Sequence, residues 1–118
     1  MPQFLAVAHI AARPGKAAEL RESLAQLLAA ADAVEPDLLL WTLSSPLGRP
    51  GTLTVTELFT DEAAYDLHES HPDVLRRASL MAPLIERFEA WSGVVVATNA
   101  REAQLPGTGA GSRGATGP

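Results

Sequence analysis

The amino-acid sequence predicts an α+β domain with the ferredoxin-like order β-α-β-β-α-β, an antiparallel sheet backed by helices. Three observations carry that prediction. A short apolar run, Phe4 to Ala11, gives way to a Leu-rich segment with helical period. Two strand-like runs follow, separated only by a Pro- and Gly-rich loop. A helical region broken by prolines then leads into a Val-rich strand.

Each element has its own warrant. Phe4 to Ala11 is apolar on both faces except at His9, as in a buried strand. Arg13-Pro14-Gly15 is turn chemistry, since Pro sets φ and Gly accepts a positive one. From about Lys16 to Ala33, Leu20, Leu24, Leu27, Leu28 and Ala31 form one helical stripe, and Pro36 helps to end the helix. Leu38 to Ser44 is the second strand, with Leu39, Trp41 and Leu43 on one face and Leu38, Leu40 and Thr42 on the other.

The loop Ser45 to Gly51 lets that strand pair with the third, Thr52 to Phe59, as a hairpin. In the third strand Leu53, Val55, Glu57 and Phe59 share a face opposite three threonines. Thr60 or Asp61 caps a short helix through about Ser70, and Pro72 opens another. Val74, Ala78, Met81, Ile85 and Phe88 keep helical spacing, with a break or kink expected at Pro83. The fourth strand is expected from Glu89 to Thr98. Residues 1–100 thus read as one domain and 101–118 as a tail; from Gln104 onward five Gly and two Pro in 15 residues mark a flexible linker.

Composition narrows the function classes. With 47% hydrophobic and 19% charged residues the chain is globular. A net charge of -5 argues against nucleic acid, which needs clustered Lys and Arg. No run approaches the roughly 18 apolar residues of a membrane span, and the N-terminus lacks the pattern of a secretory leader. The absence of cysteine excludes disulfides and thiolate chemistry, and agrees with a cytoplasmic setting. The first, second and fourth strands are apolar on both faces, so both sides of the sheet are expected to be covered. Helices take one side, and a second copy of the sheet takes the other in a symmetric homodimer.

Several runs resemble the antibiotic biosynthesis monooxygenase (ABM) family. They are Pro14-Gly15-Lys16 ahead of the Leu-rich helix, Thr56 through His68 followed by His71-Pro72, and Ala82-Pro83-Leu84. The resemblance spans about residues 3 to 98. It implies a dimeric α+β barrel with a pocket in each subunit between sheet and helices. Such domains often carry a Pro-Gly-Cys-like turn before the second strand and a Tyr within it; this chain has Glu35-Pro36-Asp37 and then Leu40-Trp41. Haem-degrading relatives carry an Asn on the first strand, a Trp on the middle helix and a His on the next helix. The residues here are Ala8-His9, Leu67 and no His beyond His71, which argues against that activity.

The candidate site residues follow. Glu57 shares an apolar face, where a carboxylate is either paired or tuned as an acid or base. His68 faces the same way as Ala64 and is the first choice for handling a proton, with Glu57 second. His68 and His71 are three apart, but a helix ending before Pro72 and the lack of further ligands give no expectation of a metal. Trp41 and Tyr65 are either aromatic pocket walls or plain core, and His9 either lines the pocket or bonds to backbone in an interface. His71, Phe59 and Met81 complete the predicted substrate lining. No phosphate loop, flavin motif or Ser-His-Asp arrangement is present, so no cofactor is expected. The resemblance then implies a cofactor-independent monooxygenase taking a phenolic, quinol or polyketide-like aromatic molecule and dioxygen. The alternatives are a ligand-binding dimer without catalysis, or an isomerase or cyclase of polyketide-type intermediates.

Overall fold

A computed structural model describes residues 2–100; the tail expected at 101–118 lies outside the described residues. Its elements are β1 (Phe4–Ala12), α1 (Ala17–Val34), β2 (Leu38–Ser44), β3 (Thr52–Phe59), α2 (Glu62–Ser70), α3 (Pro72–Met81), a single 3₁₀ turn (Ala82–Leu84) and β4 (Ile85–Val94). The four strands form one sheet in the order β2-β3-β1-β4, and all three neighbouring pairs are antiparallel. This is the ferredoxin-like arrangement, with β1 and β3 central and β2 and β4 at the edges. No described helix is long and apolar enough to cross a membrane.

Local chemistry sets the corners. Pro14 and Gly15 occupy the middle of a turn closed by the Lys16 N–H donating to the Arg13 carbonyl at 2.9 Å, and Gly15 has φ +78°. The five apolar residues of the α1 stripe, Leu20, Leu24, Leu27, Leu28 and Ala31, are its buried residues. Asp61 caps α2, its Oδ1 accepting from the Ala64 N–H at 2.9 Å. His71 closes α2 and caps α3, its Nδ1 accepting from the Asp73 N–H at 3.1 Å, with Pro72 in the first turn.

Cross-strand partners share a face, so the register assigns the core. Ile10 opposes Leu53, Ala6 opposes Glu57, and Phe4 opposes Phe59. These side chains meet the α1 stripe in two buried clusters. One holds Ile10, Leu20, Leu24, Leu53, Val55, Met81 and Leu84; the other holds Phe4, Ala6, Ala31, Leu38, Phe59 and Ala64. Glu57 lies between them on the same face.

The structure departs from the sequence reading in two places. The pairing register shifts between Leu38 and Leu40, so Leu38 and Leu39 are both buried rather than on opposite faces. The helical spacing expected to run on through Ile85 and Phe88 stops at Met81. Pro83 has no N–H to continue an α-helix, the chain tightens into the 3₁₀ turn, and Ile85 is already extended at φ -104°, ψ 128°. Phe88 therefore sits on β4 opposite Ile10, and the strand covers Ile85–Val94 rather than Glu89 to Thr98.

On the face of the sheet away from the helices, Leu5, Val7 and His9 of β1 are half-buried, and Trp91 of β4, opposite Val7, is 57% exposed. Two substitutions separate capping from packing. Asp61→Ala should cost about 1 kcal/mol through the lost cap. Leu28→Ala, at a position 1% exposed, should cost about 2–5 kcal/mol through the cavity left behind. Denaturant midpoints measured on both variants check that ordering.

Candidate active site

The centre of the polar chemistry is His68, in the last turn of α2 and 3% exposed. Its Nδ1 lies 2.9 and 3.0 Å from the two carboxylate oxygens of Glu35, and its Nε2 lies 3.2 Å from Oε2 of Glu57. Both carboxylates are themselves mostly shielded, at 13% and 11% exposed. Phe59 covers the ring from the side, with centroids 5.3 Å apart.

Three separate elements bring this triad together. Glu57 projects from the middle of β3, beside the small Ala6. Glu35 is the residue at which α1 ends: its N–H still donates to Ala31 at 2.9 Å, but its own backbone is non-helical at φ -120°, ψ 88°. Pro36 enforces that exit, because proline disfavours helical backbone in the residue before it. His68 stands at the C-terminal end of α2, where the helix dipole favours a cation.

Burial by itself would lower the basicity of the His68 ring. The hydrogen bond and charge of Glu57, joined by those of Glu35, outweigh it and raise the pKa to about 9. At neutral pH the ring is an imidazolium with both N–H groups donating to carboxylates. A ring in that state has both N–H groups committed to carboxylates. The two carboxylates bind opposite nitrogens, so the three side chains do not converge on one point. Among the described residues, no group of three His, Cys, Asp or Glu could hold a metal ion.

Beside the triad is a cavity of about 330 Å³, between the end of α1, the start of β2, and the α2–α3 corner. Leu38, Phe59, Ala64 and Leu67 supply apolar wall, and Glu35, Asp37 and His71 supply polar groups. His71 spends Nδ1 on the Asp73 N–H, and the neutral tautomer that fits this bond carries its hydrogen on Nε2.

Of the residues singled out from sequence, Phe59 and His71 line this cavity. His68 and Glu57 stand one layer behind, reaching it through Glu35. Tyr65 packs on Phe4 and Phe59, with ring centroids 5.0 and 5.6 Å apart, and Trp41 fills the space between the two core clusters. Met81 is buried in the cluster around Leu20 and Leu24. His9 lies on the other face of the sheet, its Nδ1 2.9 Å from the Thr54 hydroxyl rather than on backbone. Neither Trp41, Tyr65, Met81 nor His9 borders the cavity.

Glu35 was missed from sequence. One signal was available: a carboxylate at the negative end of an 18-residue helix with no basic residue in its last turn is electrostatically misplaced unless a cation answers it.

The His68 charge makes a stability prediction with a definite sign. The folded pKa of about 9 exceeds the ordinary 6.5, so the stabilisation is complete below about pH 6.5 and fades as pH rises through 9. A shift of that size corresponds to about 3 kcal/mol. Unfolding free energy measured from pH 6 to 10 should fall across that window, and a His68→Gln variant should lose the slope. A slope unchanged in the variant would assign it to other groups.

The comparisons with known proteins agree with this architecture. The chain shares 24% identity with a candidate antibiotic biosynthesis monooxygenase from Caulobacter crescentus, at TM-score 0.76, covering 81% of this chain and 92% of that one. A protein from Shewanella oneidensis matches at 25% identity and TM-score 0.74, covering 80% and 91%. SnoaB, a cofactor-independent oxygenase from Streptomyces nogalater solved as an N63A mutant, matches at 19% identity and TM-score 0.73, covering 86% and 100%. The comparison with curated proteins gives no match. The family model for antibiotic biosynthesis monooxygenase matches residues 3–78, and the chain belongs to that family.

Proposed function

We propose that the protein is a cofactor-independent monooxygenase of a phenolic, quinol or anthrone-type aromatic molecule, with Glu35 as the base that meets the substrate. The observation that carries this reading is a largely apolar cavity into which a single shielded carboxylate, fixed from behind by a buried imidazolium, presents its charge. A catalytic base must touch the proton it removes. Glu35 borders the cavity, whereas His68 and Glu57 do not.

In the proposed reaction Glu35 accepts the proton of the substrate, and the Nε2–H of His71 donates to the oxyanion that forms. The electron-rich anion then passes an electron to dioxygen, and carbon–oxygen bond formation followed by loss of water completes the change. For an anthrone methylene the sum is CH₂ plus O₂ giving C=O plus H₂O, with every electron supplied by the substrate. His68 is a positioning residue here: its Nδ1–H, shared between both oxygens of Glu35, holds that carboxylate in one orientation, and Glu57 balances the second ring N–H. SnoaB, described as a cofactor-independent oxygenase, lends the reading a precedent in this fold.

The double pairing of His68 also favours a second reading, a dimer that binds such a ligand without turning it over. Both readings share the homodimer, in a cytoplasmic setting. Its supports are Trp91 and the half-buried Val7, which leave an apolar strip on the outer face of the sheet.

Two measurements test these points. Oxygen uptake with a panel of hydroquinones and anthrones, on metal-free protein, should exceed the rate without enzyme. It should fall roughly 10²- to 10⁴-fold in Glu35→Gln, and by less in His68→Gln. Uptake that survives Glu35→Gln removes that residue from the role of base; binding without uptake selects the second reading. For assembly, light scattering should report a dimer that Trp91→Glu converts to monomer, and a wild-type monomer would overturn the interface.

A further inference from the structure

The cavity carries an electrostatic bias that bears on which aromatic molecules it takes. Two carboxylates, Glu35 and Asp37, line it, and among its described lining residues there is no Lys or Arg. The imidazolium nearest to it is already shared between two carboxylates, so the group Glu35–His68–Glu57 carries a net negative charge. The surrounding backbone adds to this. The C-terminal ends of α1 and α2, at Val34 and Ser70, border the cavity, and these are the negative poles of their helices. The N-terminal end of α3 also borders it, at Pro72, and its positive pole opposes the other two; Asp73 in that first turn is taken up by Arg76 and Arg77, and none of the three lines the cavity.

From this we infer that the cavity discriminates by charge: it takes uncharged or amine-bearing aromatic ligands and rejects aromatic carboxylates, with Glu35 and Asp37 setting the selectivity. The inference rests on the reading of this cavity as an aromatic-ligand site and deepens it. The physical reason is desolvation. A carboxylate leaving water for an apolar wall needs a cation or several donors to replace its hydration; of the lining side chains that carry a donor, the Ser70 hydroxyl already donates to the Asp66 carbonyl at 3.0 Å, which leaves His71. Two like charges bordering the cavity oppose it further, the shielded Glu35 more than the exposed Asp37, whose field water screens. An ammonium group meets the opposite field. Proton transfer from a phenol to Glu35 leaves the net charge of the occupied cavity unchanged, so the same bias is compatible with phenolate formation.

Calorimetric titration of the full chain at pH 7 with 2-naphthol, its carboxylated derivative and its aminomethyl derivative tests the inference directly. The carboxylate should bind about ten-fold or more weakly than the neutral parent, a gap of about 1.4 kcal/mol, and the ammonium at least as well as the parent. Asp37→Asn, a change at an exposed position, should narrow the gap between carboxylate and parent several-fold; Glu35→Gln should do the same if the variant folds. Carboxylate binding equal to that of the parent, or a gap untouched by Asp37→Asn, overturns the selectivity whatever the oxygen assay shows. Rejection of the carboxylate with no oxygen uptake keeps the selectivity and sinks the oxygenase. Failure of all three probes to bind overturns both.

Discussion

A buried positive charge held by two carboxylates is the constraint on which the rest of this molecule depends. Placing an imidazolium in a protein interior is costly unless both of its N–H groups are met. His68 meets that condition with Glu57 from the sheet and Glu35 from the end of α1. One ring thereby ties together three elements that are otherwise joined mainly by apolar packing. Removing any one partner strands a charge, so α2, β3 and the α1–β2 corner are coupled in position as well as in charge.

That coupling explains why the cavity lies where it does. Pro36 turns the chain out of α1 and sets Glu35 in a non-helical backbone, and the same corner leads directly into the bulged start of β2. The helical layer does not close over this end of the sheet, and Phe59, Leu38 and Ala64 are left as a wall. The polar triad is therefore not a decoration on a finished pocket; it fixes one side of the pocket. Glu35 belongs to both, which is why it rather than His68 is the residue a ligand would meet.

Much of this was legible along the chain. The α1 stripe, the Asp61 cap, the corner at His71-Pro72 and the placing of Glu57 with Val55 and Phe59 all follow from short-range periodicity and turn chemistry. The site was only half legible. His68 and Glu57 are marked by being polar on apolar faces, but a residue at the end of a helix has no face from which to read its partner. Glu35 is 33 residues from His68, and nothing local connects them. The aromatic residues misled for a related reason: Trp41 and Tyr65 carry the same apolar surface whether they line a cavity or fill a core.

By itself, then, the sequence determined the element order, the face that β3 buries and the polar residues placed against the core, because these follow from periods of 2 and 3.6 residues and from the rigid chemistry of Pro and Gly. It also carried the family resemblance. Only the tertiary structure decided that His68 stands between two carboxylates, that Glu35 borders the cavity, that β4 begins right after the Pro83 turn, and that His9 lies on the opposite side of the sheet from the site. A protonation state depends on which charges lie within a few ångströms in space, and chain order does not specify that distance.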